Sequence, residues 1–183
     1  MKKIPNRMLP TLAMLAALEV VLARFIIPMP GPTMRFSIEA VPIVVAGFLF
    51  GPLPGLLVGV VGDAVGTLFS GYGYNPFFAV PPAMIGACAG LMRPLLYEKV
   101  SFLRILAAFI PAVALGSVLW QSYWLSFFYG TRTFGAFLAL RAAQFAVTAP
   151  VDAAVIFAMF RTGAFEALHL WPPENAGKAG DEA

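Results

Sequence analysis

The chain has 183 residues, of which 60% are hydrophobic and only 11% charged, and its mean hydropathy is +0.84. A water-soluble domain gives about a quarter of its residues to charge, so this balance excludes an ordinary soluble globule and points to a membrane protein. The net charge of +3 raises nucleic-acid binding, but the placement of the basic residues argues for membrane topology instead.

A hydrocarbon core of about 30 Å needs about 20 mostly apolar helical residues to cross it. In chain order, the apolar runs predict spans at Met8–Pro28, Ser37–Phe50, Leu53–Ser70, Pro76–Leu96, Leu103–Phe128 and Phe134–Phe160. The second span is short and meets the third through Phe50-Gly51-Pro52-Leu53-Pro54-Gly55, a turn by its Gly and Pro content. Six helices with short connections make one bundle, expected over residues 1–170. Residues 171–183, beginning Trp171-Pro172-Pro173, are expected to form a polar, disordered tail. The start of the chain superficially resembles a signal peptide, yet Glu19 interrupts the apolar run and no small-residue cleavage site precedes Arg24. It is expected to be a retained first helix.

Threading six helices collects Lys2, Lys3, Arg7, Arg93, Lys99, Arg104, Arg161 and Lys178 on one side. The positive-inside rule makes that side the cytoplasm, with both termini on it. Arg35 and Arg132 fall in the opposite loops.

Ionisable groups within spans are costly and often mark a site. Here they are Glu19, Arg24, Asp63, Arg141 and Asp152, with Glu39 near the outer end of the second span. Arg141, Gln144, Thr148 and Asp152 follow at spacings of three, four and four, which places them on one helical face. Ser117, Gln121, Trp124 and Phe128 form a similar stripe on the fifth span. Two such stripes can line a cavity, or they can hydrogen-bond each other and hold the bundle together. Arg24, Gln121, Trp124 and Arg141 belong to the outer half of their spans, at a level rich in aromatic residues. The segment Ser70-Gly71-Tyr72-Gly73-Tyr74-Asn75-Pro76 suits either a ligand lid or an ordinary turn. Arginine takes carboxylates bidentately, while Glu39 or Asp63 can receive paired N–H donors from a heterocycle. The threading places Asp63 and Asp152 at different depths.

Glycines at four-residue spacing in the third span (Gly55, Gly59), and Gly86 and Gly90 in the fourth, allow close helix approach. In the first span, Ala13 and Ala17 form a small-residue patch suited to tight packing or to docking of another membrane protein. Cys88 is alone, so no intramolecular disulfide can form. There is no P-loop and no His or Cys set for a metal, and His169 follows the last span. Neither a cofactor nor an enzymatic activity is expected.

The segment from Phe36 to Gly55 resembles the second and third helices of the S components of energy-coupling factor (ECF) vitamin transporters. Gly59-Val-Val-Gly-Asp-Ala-Val-Gly-Thr-Leu-Phe69 and Gly71-Tyr-Gly-Tyr-Asn-Pro-Phe-Phe78 are similar to the folate-specific branch. So are Leu22-Ala-Arg-Phe25 and Trp124-Leu-Ser-Phe-Phe-Tyr-Gly130. The likeness runs from about Leu9 to Phe160, with departures at Pro81-Pro82 and Gln121-Ser122.

The resemblance implies an all-α, six-helix, multi-pass protein of the bacterial cytoplasmic membrane. It implies vitamin binding at the outer face, then docking on a transmembrane coupling protein driven by two ABC ATPase subunits, with toppling of the bound subunit. The family's Ala-x-x-x-Ala docking motif matches Ala13 and Ala17. The expected ligand site comprises Arg24 and Arg141 for ligand carboxylate or ring oxygen, Tyr74 and Trp124 for stacking, and Gln121 for a hydrogen bond. The rival readings are an S component for a queuosine precursor or pantothenate, an intramembrane enzyme using Asp63 and Asp152, and a scaffold without ligand.

Overall fold

The computed structural model describes residues 8–23, 27–28, 35–36, 38–69, 74–129, 133–168 and 170–171. Its elements are α1 (Met8–Leu22), β1 (Ile27–Pro28), β2 (Arg35–Phe36), α2 (Ala40–Phe50), α3 (Pro52–Leu68) and α4 (Pro76–Leu91). They continue with α5 (Pro94–Glu98), α6 (Phe102–Ala112), a π-helical stretch (Val113–Trp120), α7 (Gln121–Tyr129), α8 (Phe134–Arg161) and α9 (Ala164–Ala167). The chain is therefore helical throughout, apart from a two-residue antiparallel pairing of Ile27 with Phe36 and Pro28 with Arg35.

Helix α2 is the centre of the bundle. Every residue from Ala40 to Leu49 is buried, as expected of a helix that is apolar on all sides. It packs against α1, α3, α4 and α8. Its end is sharp because Gly51 has φ 103°, a conformation open to glycine at little cost. Pro52 then starts α3 at a position where its missing N–H is harmless.

Glycine sets how closely α2, α3 and α4 approach. A side-chain carbon at Gly47 would lie 2.6 Å from the Gly86 carbonyl oxygen, and one at Gly55 would lie 2.5 Å from that oxygen and 2.8 Å from the Gly47 Cα. At Gly59 it would lie 2.5 Å from the Pro82 carbonyl oxygen. No other residue type fits these places without moving backbone. Above this weld the core continues through Ile43, Val44, Phe48, Ile105, Phe109 and Ile156.

Two span boundaries differ from the sequence expectation. The first helix ends at Leu22 instead of Pro28, and Ile27–Pro28 pairs as a strand. The fourth ends at Leu91 because Pro94 opens a separate short helix, a proline disfavouring helix in the residue before it. The fifth span is one continuous rod from Phe102 to Phe128, 27 residues, and α8 is 28 residues long; both are long and apolar enough to cross a membrane. The remaining apolar helices of α1 to α4 are shorter. Trp171, placed in the tail by the sequence reading, is buried, with its ring 5.2 Å from Phe160 and 5.8 Å from Tyr97.

Candidate functional site

Helix α8 stays continuous through Pro150, although that proline removes one backbone hydrogen bond from the ladder. Continuity keeps the polar face together: Arg141 and Gln144 are half-buried, while Thr148 and Asp152 are buried. At 1.5 Å per residue, Arg141 stands about 16 Å above Asp152 along one face. One helix thus presents a guanidinium at one end of a polar strip and a carboxylate at the other.

Four carboxylates lie at a common level. Gly47 and Gly55 touch, and Glu39 and Asp63 each lie eight residues from that contact. Phe48 and Phe160 meet edge to face at 6.3 Å, with Glu39 and Asp152 nine and eight residues away from them in sequence. Glu19 on α1 rests against α3 at Gly62, whose missing side chain leaves room for its carboxyl group. At about 1.5 Å per residue, these offsets put all four acids roughly 12–14 Å from the glycine weld. Glu39 is electrostatically coupled to Glu19, Asp63 and Asp152. The expectation that Asp63 and Asp152 sit at different depths is corrected by these contacts; the threading missed that α2 spans only 11 residues and begins far inside the membrane-length helices.

Glu39 is exposed at the start of α2, whereas Glu19 is 5% exposed and Thr148 and Asp152 are 3% exposed. Among the described residues, no hydrogen-bond partner reaches Glu19 Oε2, Asp63 Oδ2, Thr148 Oγ1 or Asp152 Oδ1. Buried acceptors of this kind are costly to a fold unless they are used.

Higher up stands an aromatic cluster. Trp124 stacks on Phe77 with centroids 3.9 Å apart and 23° between planes, and Phe128 lies offset from it at 5.6 Å. Trp120, whose indole N–H donates to the Phe77 carbonyl at 2.9 Å, ties this cluster to α4. The Trp124 Nε1 is buried with no hydrogen-bond partner among the described residues. Tyr74 is exposed at the entry to α4, and Gln121 is half-buried where the π-helical stretch gives way to α7. Its backbone N–H bonds to the Gly116 carbonyl, five residues back. Arg24 and the glycines of the Ser70–Gly73 loop lie outside the described residues. Ala13 and Ala17 are exposed on α1, beside exposed Leu9, Met14 and Val21.

An apolar groove of about 370 Å³ lies elsewhere, between α6, the π-helical stretch and α8, lined by Leu106, Ile110, Val113, Phe145, Ala149 and Pro150. Its lining has no ionisable group, so the polar strip and not this groove is the candidate site.

A helical bundle with an outward-running polar strip fits a membrane-embedded binding subunit, and comparison with known proteins decides which kind. The sequence profile of the ECF transporter, substrate-specific component, matches residues 7–169. The chain belongs to that family. An ECF S component is a membrane protein and a transport subunit, and the helices here agree with it.

Among relatives, a folate transporter, FolT, of Clostridium novyi (strain NT) is 28% identical over 152 residues, covering 82% of this chain and 86% of that protein. A UPF0397 protein of Streptococcus pneumoniae (strain Hungary19A-6) is 35% identical over 78 residues, 43% of either chain. The match thus spans less than half the length of that relative. Among solved structures, FolT bound with folic acid superposes with a TM-score of 0.68 at 22% identity, over 84% of this chain and 91% of that one. The S component for biotin gives 0.67 at 16% identity, over 90% and 98%. Both likenesses establish the S-component fold.

Sequence reasoning missed the pairing of Phe77 with Trp124 and the π-helical stretch. Pro111, one turn ahead of that stretch, was its only local signal. It also named Glu19 as an intramembrane charge without giving it a place in the site; the signal was Gly62, the one glycine in α3 positioned to admit it.

Proposed function

We propose that this S component binds folate from the outer face of a bacterial cytoplasmic membrane. It then delivers the vitamin inward by docking and toppling on a coupling protein driven by two ABC ATPase subunits. In this reading the six spans run with both termini cytoplasmic and the chain hydrolyses no ATP itself. The observation that carries the ligand is the strip on α8, with Arg141 at one end and Asp152 about 16 Å away at the other. Folate is an extended molecule with N–H donors on its pteridine and two carboxylates on its glutamate, so its polarity complements that strip. The Clostridium novyi relative, which covers most of the chain, supports the same ligand.

Arg141 takes the ligand carboxylates in a charge-assisted pair, with Arg24 as its partner from α1. Trp124 and Tyr74 supply stacking surface, and Gln121 a hydrogen bond. Because one face of Trp124 already carries Phe77, the ring enters against the remaining aromatic surface or displaces Phe77. The exposed Ala13–Ala17 patch is the surface for the coupling protein.

The fold alone does not choose the vitamin, since the biotin-binding structure superposes as well as the folate-bound one. Queuosine precursors and pantothenate therefore belong in the test. The purified protein, without partners, is titrated with each by calorimetry or tryptophan quenching. Tight, stoichiometric binding of folate alone supports the assignment, while folate failing on folded protein and another vitamin binding moves it.

A further inference from the structure

The four carboxylates at the base of the α8 strip have no role in holding the bundle by any contact described above. Glu19 and Asp152 are more than nine-tenths buried, and each keeps one oxygen without a donor among the described residues. Thr148, one helical turn from Asp152 on the same face, repeats the pattern with a buried hydroxyl oxygen lacking a partner. That residue is neutral, so the feature is more than an accumulation of acids. Glu39 is exposed at the same level. An exposed carboxylate this far inside helices of 27 and 28 residues requires an aqueous cleft that reaches it. The cleft therefore ends on a floor of acceptors.

Acceptors without donors define what should meet them. A carboxylate accepts two parallel N–H bonds from one planar group, the geometry offered by a ring N–H beside an exocyclic amino group. Gly62 supports the arrangement on the α3 side: any side chain there would occupy the space of the Glu19 carboxyl.

We infer that Glu19, Glu39, Asp63, Thr148 and Asp152 form the inner end of the ligand site and select heterocycles with an amidine-like N–H edge. The ring then sits deep, edge down on the floor, and any acidic tail points outward toward Arg141. This deepens the vitamin-binding reading and rests on it for the location of the ligand, though not for its identity. It predicts that discrimination is made at the ring edge, by groups the outer arginine never touches.

The test uses three probes on the purified full chain, followed by tryptophan fluorescence: folate, pterin-6-carboxylate, and the same carboxylate lacking the 2-amino group. The amino compound should bind about tenfold or more tightly than its deaminated counterpart, the effect of losing charge-assisted hydrogen bonding. Asp152→Asn and Glu19→Gln, nearly isosteric, should erase that preference while the chain still elutes as a folded monodisperse peak. If either fails to fold, Glu39→Gln at an exposed position supplies the comparison. Pterin discrimination that is lost in the variants, with no binding of folate, would sustain the inference and remove the folate reading. Folate binding with equal affinity for both pterin probes, or with the preference intact in the variants, would overturn the inference and leave folate standing. Failure of all three probes on folded protein would overturn both.

Discussion

Arg141 and Asp152 show how a residue's place on a helix decides its chemistry. Both lie on α8 and on the same face, yet Asp152 is 3% exposed and Arg141 half-buried. Arg141 is therefore placed to meet a ligand arriving from outside. Replacing Arg141 with Ala, or Arg24 with Ala, should weaken folate binding by about 1.5–3 kcal/mol each, the range for hydrogen bonds to charged groups. Calorimetry on the two variants would measure this, and unchanged affinity in a folded double variant would remove both from the site. At this scale the sequence was informative about identity and poor about company. The spacing of Arg141, Gln144, Thr148 and Asp152 put them on one face, because a helical period is a local property. That Glu19 would lie against Gly62 is a contact between helices, and no local period encodes it.

At the scale of elements, the closest contacts in the protein are made by residues with no side chain. Gly86 meets both α2 and α3 through backbone, so Gly86→Ala should destabilise the protein by about 1–3 kcal/mol, as overpacking typically does. Gly66, on the same α3 face pattern, has nothing within 4 Å of an added carbon. Gly66→Ala should therefore be tolerated, and thermal unfolding in detergent compares the two directly. The four-residue glycine spacing foretold close packing, but both positions fit it equally well in sequence. What separates them is the course of α4, which passes over Gly55 and Gly59 and leaves Gly66 open. Helix ends were also only partly legible. Gly51-Pro52 announced its turn through backbone chemistry, whereas the π-helical stretch from Val113 to Trp120 arises where Gly116 approaches Pro81, a side-chain carbon there coming 3.1 Å from the Pro81 Cα.

At the scale of the whole molecule, two surfaces are set apart. The polar strip and aromatic cluster belong to the interior between α4, α7 and α8, while Ala13 and Ala17 face outward on α1. Distinct surfaces allow distinct losses. Ala13→Trp with Ala17→Trp should abolish assembly with a coupling protein and its ATPases, seen by co-purification, and leave vitamin affinity within about twofold, because substitutions remote from a site act independently of it. A fall in affinity to match the lost assembly would place the two surfaces in one site.

The glycine weld has a further consequence in time. Hydrogen exchange follows local opening, and α2 between Val41 and Leu49 is enclosed on all sides by helices that cannot slide without separating backbone from backbone. Its amides should be among the last in the chain to take up deuterium, with or without vitamin. The outer ends of α4 and α7, joined by rings and one indole hydrogen bond, should exchange early when empty and slow when filled. Protection gained on binding would then draw the outline of the ligand, and a region that stays protected throughout would mark the body that carries it.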